Sequence, residues 1–205
     1  MALINQASKE LHVKIVYYGP AQSGKTTNLE QIHQHVRTAE QTVKGKLVSL
    51  ATSADRTLFF DFFPLEAKVI KGFNTKFQLF TVPGQVIYNT TRQLVLRGVD
   101  GIVFVADSAY DKMQQNVESF QNMEENLKAL HLNLADIPCI LQYNKRDLSD
   151  PAPVDYMEFL LNNREVETPS LVSSATQCEG VFETLNAITS LLLQKFIQRG
   201  NSSPS

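Results

Sequence analysis

The segment from Gly19 to Thr26 constrains the fold of this chain more than any other. Its sequence, G-P-A-Q-S-G-K-T, has the spacing of a phosphate-binding P-loop. A run of β-branched and aromatic residues, Val13–Tyr18, precedes it, and a helical pattern, Lys25–Val36, follows it. A P-loop requires this strand–loop–helix context, whereas an ordinary glycine-bearing turn with a solvated lysine does not. The segment therefore predicts a protein that binds a nucleoside triphosphate.

Each residue type of this loop has a physical role in binding phosphate. Glycines let backbone N–H groups turn inward around the phosphates, and the helix N-terminus adds partial positive charge. Lys25 is expected to reach the β- and γ-phosphates, and the Thr26 hydroxyl is expected to bind Mg²⁺. The predicted phosphate-binding residues are Gly19, Gln22, Ser23, Gly24, Lys25, Thr26 and Thr27.

Composition is consistent with one globular domain. The chain has 205 residues, 43% of them hydrophobic, and a net charge of −2. We expect a single domain over residues 1–199 and a disordered tail over 200–205. No run of Lys and Arg indicates a nucleic-acid surface, and no signal peptide, long apolar stretch or lipidation motif indicates a membrane anchor. These observations favour a soluble, cytoplasmic protein, with Cys139 as a small core residue rather than a metal ligand.

Strand-like and helical patterns alternate along the chain, which predicts a doubly wound α/β fold. The continuously apolar runs Gly101–Ala106 and Ile137–Tyr143 are typical of parallel strands covered on both faces. The other predicted strands are Val13–Tyr18, Leu58–Phe63, Val69–Phe73, Thr75–Val82 and Leu171–Ser174, and the predicted helices are Lys25–Val36, Asn116–Leu130, Val154–Asn162 and Val181–Gln198. Because no helix separates the strands between Leu58 and Val82, we expect an antiparallel hairpin at one edge of the sheet.

A second motif, N-K-R-D at residues 144–147, follows the predicted strand Ile137–Tyr143. Polar loops after strands are common, but ligands bind outside the carboxyl ends of strands in α/β sheets, so this loop and the P-loop should share one edge. The Asp147 carboxylate can accept both the ring N–H and the exocyclic amine of guanine, a pairing that adenine lacks. We expect Asn144 to brace the loop near the base and the Lys145 stem to pack over the ring.

The strand end after Val172 is a weaker signal for the same base. Ser174 and Ala175 fall where a loop would approach the guanine ring, and the Ala175 N–H is a plausible donor to its O6 atom. An ordinary strand end explains these residues equally well on spacing alone.

Together these motifs resemble the Ras-like small GTPases, and specifically the MglA family of bacterial cell-polarity GTPases. The strings that carry this resemblance are K-I-V-Y-Y-G-P at 14–20, R-T-L-F-F-D-F at 56–62, T-V-P-G-Q at 81–85 and G-V-D-G at 98–101. The resemblance extends from about Asn5 to Phe196. It implies a small-GTPase fold with a mostly parallel sheet and helices on both faces, Mg²⁺ as cofactor, GTP and GDP as ligands, and hydrolysis of GTP.

The resemblance also implies roles for residues in the two switch segments. Thr57 matches the threonine that ligates Mg²⁺, and Gly84 matches the glycine whose N–H contacts the γ-phosphate. Gln85 matches the glutamine that orients the attacking water, and Arg56 matches an intrinsic arginine finger. A surface ion pair of Arg56 with Asp55 is the alternative interpretation of that arginine.

Two positions depart from the wider Ras-like pattern. Thr81 stands where an aspartate usually helps to hold Mg²⁺ through water, so Asp61 becomes the nearest acidic substitute, unless it is only a solvated strand residue. Ala21 stands where relatives usually carry glycine beside the γ-phosphate. Its methyl group could crowd Gln85 and slow hydrolysis, unless the different switch geometry leaves room for it.

The resemblance further implies a switch that controls polarity and motility. In the GTP state such proteins are recruited to a cell pole and bind effectors there, and an MglB-like Roadblock-fold homodimer activates hydrolysis. The apolar segment Leu58–Leu65 suits a partner surface, or both of its faces belong to the core. A GTP-bound scaffold with negligible hydrolysis remains the alternative function. Phosphoryl transfer to a metabolite is disfavoured, because N-K-R-D and Gln85 would have no role in it.

Overall fold

A β-sheet with helices on both faces forms the centre of the computed structural model, which describes residues 3–5, 9–39, 48–49, 61–70, 73–163 and 167–201. The strands within these ranges are β1 (Leu3–Asn5), β2 (Glu10–Tyr18), β3 (Val48–Ser49), β4 (Asp61–Ile70), β5 (Phe73–Thr81), β6 (Gly101–Asp107), β7 (Cys139–Asn144) and β8 (Ser170–Val172). The helices are α1 (Lys25–Ala39), α2 (Asn89–Leu96), α3 (Met113–Ala129), α4 (Val154–Leu161) and α5 (Val181–Asn201).

The sheet is mostly parallel, as the sequence predicts. Its strand order is β3-β4-β5-β2-β6-β7-β8, and the neighbours from β5 to β8 all run parallel. Every residue of β6 and β7 is buried, because helices cover both faces of these central strands. Since parallel strands all end at the same edge, the loops that follow β2, β5, β6, β7 and β8 lie together there.

Apolar side chains of the central strands pack against helices on each face. On one face, Phe104 of β6 meets Phe120 of α3 edge to face, with ring centroids 4.8 Å apart. On the other face, Ile15 of β2 belongs to a cluster with residues of α1 and α5. The predicted apolar stripe of α5 (Val181, Phe182, Leu185, Ile188, Leu192 and Phe196) packs in this second cluster, which confirms that it faces the core. Cys139 is also buried, as expected.

The strand pattern between residues 61 and 81 differs from the prediction. A single ten-residue strand, β4, covers the end of the predicted strand Leu58–Phe63 and the beginning of Val69–Phe73. β4 pairs with β5 in antiparallel register from Phe62↔Phe80 to Ile70↔Phe73, with a register shift after Ala67. Pro64 and Glu66 interrupt the apolar pattern, which explains why the sequence indicates two short strands rather than one long strand.

Helix α2 is absent from the prediction, and helix α5 ends later than predicted. Helix α2 lacks a sequence signal, because its first residues, Asn-Thr-Thr, are poor helix formers. Helix α5 ends at Asn201, so it includes two residues that we expected in the disordered tail. None of the helices within the described ranges is both long and apolar enough to cross a membrane.

Candidate functional site

The P-loop lies between β2 and α1 and is held by close backbone packing. A Cβ atom on Gly19 would lie 2.2 Å from the Val105 carbonyl oxygen of β6, and one on Gly24 would lie 2.1 Å from Asn144 Nδ2. Both glycines have positive φ (143° and 101°), and so does Gln22 (62°). The loop therefore needs glycine at both ends of the motif, for space as well as for backbone conformation.

Lys25 is folded over the loop. Its Nζ donates to the carbonyl oxygens of Gly19, at 3.0 Å, and of Pro20, at 2.5 Å, and the residue is only 6% exposed. Ser23 is fully buried, and its hydroxyl has no hydrogen-bond partner among the described residues. A cationic Nζ and an unsatisfied buried hydroxyl inside one loop are suited to a ligand rich in acceptor oxygens, such as a phosphate chain.

Thr26 and Thr27 begin the helix that follows the loop. Thr26 is exposed and Thr27 is half-buried, at the N-terminal end of α1. The first N–H groups of this fifteen-residue helix lie at the same place, so its partial positive charge adds to that of Lys25.

Asn144 joins the N-K-R-D loop to the P-loop. Its Nδ2 donates to the Ser23 carbonyl oxygen at 2.7 Å, and its Oδ1 accepts from the Ser173 hydroxyl at 3.0 Å and from the Ala175 N–H at 2.9 Å. The residue is 2% exposed. One amide side chain therefore connects three loops that follow β2, β7 and β8.

Asp147 is exposed at the outer side of this junction. Its Oδ1 accepts from the Ser174 hydroxyl at 2.6 Å, and its Oδ2 accepts from the Thr176 hydroxyl at 3.3 Å. The Ser174 hydrogen bond in particular holds the pKa of the Asp147 carboxyl below its usual value. The side chain is therefore an oriented, ionised acceptor that is open to solvent. These properties suit a group that accepts hydrogen bonds from two neighbouring N–H donors of a ligand.

Lys145 follows Asn144 in a left-handed backbone conformation, with φ of 68°. Its Nζ lies 2.6 Å from Asp107 Oδ2, and the Lys145 and Asp107 side chains are 33% and 1% exposed. The ion pair fixes the direction of the lysine stem within the N-K-R-D loop.

The Ala175 N–H has a different partner from the one that the sequence suggested. The sequence offered it as a plausible donor to guanine O6, with an ordinary strand end as the equal alternative, and in this structure it donates to Asn144 Oδ1. Ala175 lies at the site and is 2% exposed, yet its N–H serves to brace the neighbouring loop. Its hydrogen bond to guanine O6 stays a prediction, and spacing alone does not show that the Asn144 amide lies within reach of that N–H.

The T-V-P-G-Q segment lies directly against the P-loop. A Cβ atom on Gly84 would be 2.2 Å from Ala21 Cα and 2.5 Å from Ala21 N, so only glycine fits there in this conformation. The next residue, Gln85, is exposed and makes no side-chain capping bond to the short 3₁₀ helix Val86–Tyr88 that it precedes. The sequence predicted both residues at the phosphate site, and the structure brings Gly84 to its edge.

Three predicted site residues cannot be placed in the same way. Arg56 and Thr57 lie outside the described residues. Asp61 is the first residue of β4, and the structure describes its backbone but not its side chain.

Sequence reasoning missed two charged residues beside the site, Asp107 and Arg92. Asp107 could have been found, because it directly follows an apolar strand at the sheet edge where the other loops lie. Arg92 is fully buried and binds the backbone of the T-V-P-G-Q segment, although an arginine in a polar helix normally indicates a solvated face. No sequence signal marks it.

The joined P-loop and N-K-R-D loop, at the carboxyl edge of a parallel sheet, define a nucleotide-binding protein of the small-GTPase class. Comparison with known proteins supports this class. The model of the ADP-ribosylation factor family matches residues 1–192. The mutual gliding-motility protein MglA of Myxococcus xanthus is 49% identical over 200 residues, which cover 98% of this chain and 100% of that protein. The chain therefore belongs to the ADP-ribosylation factor family of small GTPases, as an MglA-like member that binds GTP and GDP and hydrolyses GTP.

Proposed function

We propose that this protein is a molecular switch whose GTP hydrolysis is slow until a partner stimulates it, and that the switch controls cell polarity and motility. The observation that carries this proposal is the state of Gln85. Its side chain is exposed and uncapped, although the adjacent Gly84 is packed tightly against the P-loop. A glutamine that must orient water needs a fixed side chain. Here Gly84 is held in place, but the side chain of Gln85 is not.

Ala21 contributes to the slow rate in this proposal. Its backbone already contacts Gly84, and its Cβ lies 2.9 Å from the position of a Cβ on Gly84. The Ala21 methyl group therefore occupies space next to Gly84, and so lies close to the backbone of Gln85. We therefore expect nucleotide binding to be unaffected and the catalytic geometry to form only when switch II, the T-V-P-G-Q segment at residues 81–85, moves.

The residues present are consistent with Mg²⁺ as cofactor. The Thr26 hydroxyl, exposed at the start of α1 beside the phosphate loop, is the described oxygen that would hold it, with Thr57 and Asp61 as the further residues that the family resemblance implies. When bound, Mg²⁺ would neutralise phosphate charge. The contribution of the chain is then to fix the phosphates with Lys25 and the loop N–H groups.

An exposed apolar surface beside switch II supports a protein partner. Ile87, in the 3₁₀ helix after Gln85, is 79% exposed, and Leu94, two turns further along α2, is 52% exposed. A partner that covers these side chains would contact the segment that carries Gln85. In our proposal this partner is an MglB-like Roadblock homodimer that acts as the GTPase-activating protein, and polar effectors bind in the GTP state.

The cellular role rests on the relative. The M. xanthus protein is named for mutual gliding motility, and the resemblance to polarity GTPases extends over nearly the whole chain. We propose that this protein is recruited to a cell pole in the GTP state.

Single-turnover GTP hydrolysis tests the proposal. The purified protein, loaded with GTP and Mg²⁺, is measured alone and with the Roadblock-type protein from the same genome. We expect a slow basal rate and a large stimulation. Gln85→Ala and Arg56→Ala should abolish most of the stimulated rate, by about 10³-fold for an arginine finger. Exposed residues provide matched controls: Gln114→Ala and Arg97→Ala should leave both rates unchanged.

A nucleotide-bound scaffold is the second candidate function, and the Ala21–Gly84 contact favours it. If that contact never opens, hydrolysis stays negligible whatever partner is present. Stimulation that is absent in the wild type but appears in Ala21→Gly would support the scaffold. An Ala21→Gly variant that hydrolyses GTP at the wild-type rate, with and without partner, would remove Ala21 as the cause of slow turnover.

A further inference from the structure

Arg92, on α2, is a buried charge that the proposed mechanism does not use. It is 0% exposed, and its guanidinium lies 5.1 Å from the ring centroid of Tyr18. Its Nε donates to the Pro83 carbonyl oxygen at 2.8 Å and its Nη2 to the Gly84 carbonyl oxygen at 2.5 Å. Its Nη1 donates to Asn122 Oδ1 at 2.6 Å.

All of these acceptors are neutral, and no carboxylate within the described residues forms an ion pair with Arg92. Burying a cation without a counter-charge is costly, and a pair of apolar side chains could fill the same volume. The guanidinium fork, in contrast, can bind two successive carbonyl groups at once. The arrangement therefore indicates that the residue holds a particular backbone conformation of switch II.

Peptide geometry shows which backbone group is held. The Pro83 carbonyl and the Gly84 N–H belong to the same peptide unit, and no described peptide bond is cis. In a trans peptide these two groups point in opposite directions. Because Nε draws the Pro83 oxygen towards Arg92, the Gly84 N–H points away from the buried layer between α2 and α3.

We propose that Arg92 is a positioning residue that aims the Gly84 N–H at the γ-phosphate. This inference rests on the proposed function and on the family resemblance, which implies that this N–H contacts the γ-phosphate of GTP. Arg92 touches neither nucleotide nor water; it acts through the peptide units on both sides of Gly84. The second of these peptide units joins Gly84 to Gln85. Arg92 therefore also restricts the backbone position of Gln85.

The guanidinium is itself fixed by polar side chains of β2, α2 and α3. Asn122 Oδ1 accepts from Arg92 and from the Tyr18 hydroxyl at 2.8 Å, and the Asn122 Nδ2 donates to Asn89 Oδ1 at 3.1 Å. Asn126 Nδ2 donates to Asn89 Oδ1 at 2.7 Å. Tyr18 is the last residue before the P-loop. The network therefore links the orientation of switch II to β2, the strand that leads into the phosphate-binding loop.

The test compares affinities for GDP and for a non-hydrolysable GTP analogue, measured with fluorescent nucleotides and Mg²⁺. Arg92→Lys keeps the charge but replaces the fork by a single ammonium, which cannot bind Pro83, Gly84 and Asn122 together. We expect affinity for the GTP analogue to fall about tenfold relative to GDP, the value of one hydrogen bond to phosphate, while affinity for GDP changes little. Arg97→Lys, an exposed arginine at the end of α2, is the matched control and should keep the wild-type ratio.

A merely structural role would lower both affinities together, or lower the melting temperature with the ratio unchanged, and either result would overturn the proposal. If Arg92→Lys does not fold, Asn122→Ser is measured instead. It retains the arginine and shortens its acceptor, so a smaller loss in the same direction supports the proposal and an unchanged ratio contradicts it. Failure of the proposed switch is separate, because it would appear as wild-type GTP hydrolysis that the Roadblock-type partner does not stimulate. Stimulated hydrolysis in the wild type with an unchanged affinity ratio in the variants defeats the positioning role alone.

Discussion

The side-chain amide of Asn144 donates a hydrogen bond to the Ser23 carbonyl oxygen at 2.7 Å and thereby ties the N-K-R-D loop to the P-loop. The two loops are separated by about 120 residues in sequence, yet a single side chain sets their distance. Its amide oxygen serves the third loop, through the Ser173 hydroxyl and the Ala175 N–H. The phosphate and base halves of the site are therefore held in one fixed relation.

Asn144→Asp should loosen this relation. The substitution removes the Nδ2 donor and places a carboxylate against the Ser23 carbonyl oxygen in a position that is 2% exposed. An unmatched buried acceptor costs about 1–3 kcal/mol, so we expect GDP to dissociate at least about tenfold faster. Stopped-flow release of a fluorescent GDP measures this rate.

The control is Asn133→Asp, since Asn133 Oδ1 accepts from the Ala135 N–H and a carboxylate can accept the same bond. Equal GDP dissociation rates for Asn144→Asp and the wild type would mean that the contact does not hold the loops together.

Asp147→Asn should change which base the protein prefers. We predict that the ionised carboxylate accepts two N–H groups of guanine, whereas an amide would offer an acceptor and a donor. We expect guanine affinity to fall about a hundredfold or more, and affinity for xanthine nucleotides to rise, because xanthine carries an acceptor oxygen in place of the exocyclic amine.

Competition binding of GDP and xanthosine diphosphate measures this exchange, with the exposed Asp150→Asn as control. A variant that kept its guanine preference would show that another group reads the base.

Gly84→Ala should separate switch II from the P-loop. The added Cβ would lie 2.2 Å from Ala21 Cα, a backbone atom that cannot yield, so the segment must move. We expect GDP binding to persist and the partner-stimulated hydrolysis rate to fall at least tenfold, because the added methyl group also blocks the approach of the Gly84 N–H and Gln85 to the γ-phosphate that the partner must bring about.

Single-turnover hydrolysis with the partner measures this loss. Gly98→Asn is the matched control. Gly98 also has positive φ (70°), which asparagine tolerates, and a Cβ there meets nothing within 4 Å. Wild-type hydrolysis in Gly84→Ala would show that the reaction does not need a close approach of Gly84 to the phosphates.

Ser174→Ala should raise the pKa of Asp147 towards its usual value. The serine hydroxyl donates to the ionised form at 2.6 Å and is the largest cause of the lowered pKa. A lowered pKa keeps the carboxylate charged as the pH falls, so guanine affinity should persist to a lower pH in the wild type than in the variant.

An NMR titration of the carboxyl carbon measures the shift directly. Thr176→Val, which removes the longer 3.3 Å bond, should raise the pKa less than Ser174→Ala does. The reverse order would contradict the assignment of the cause.

The sequence was sufficient for the parts of this molecule that depend on local pattern. The P-loop could be placed because its glycines have steric functions at fixed spacing, and β6 and β7 because burial on both faces demands continuous apolar runs. The N-K-R-D loop followed from the rule that ligands lie at the carboxyl ends of parallel strands.

What the sequence could not predict depends on contacts between distant residues. A polar first turn concealed α2, which packs through Val95 and Leu96 onto a core that local propensity does not encode. The role of Arg92 depends on the directions in which the Pro83 and Gly84 carbonyl groups point. The hydrogen bond of the Ala175 N–H depends on the side chain of Asn144, 31 residues away in sequence.

The nucleotide site consists of loops that follow several strands of the sheet, so no part of it exists until those strands are assembled. A ligand that binds only the assembled form stabilises it by mass action, by about 4 kcal/mol at a concentration a thousand times its dissociation constant. Guanine nucleotide therefore stabilises the folded state of this protein, to an extent that depends on the nucleotide concentration. Depletion of guanine nucleotide would therefore lower the free energy of unfolding of this protein as well as end its signal.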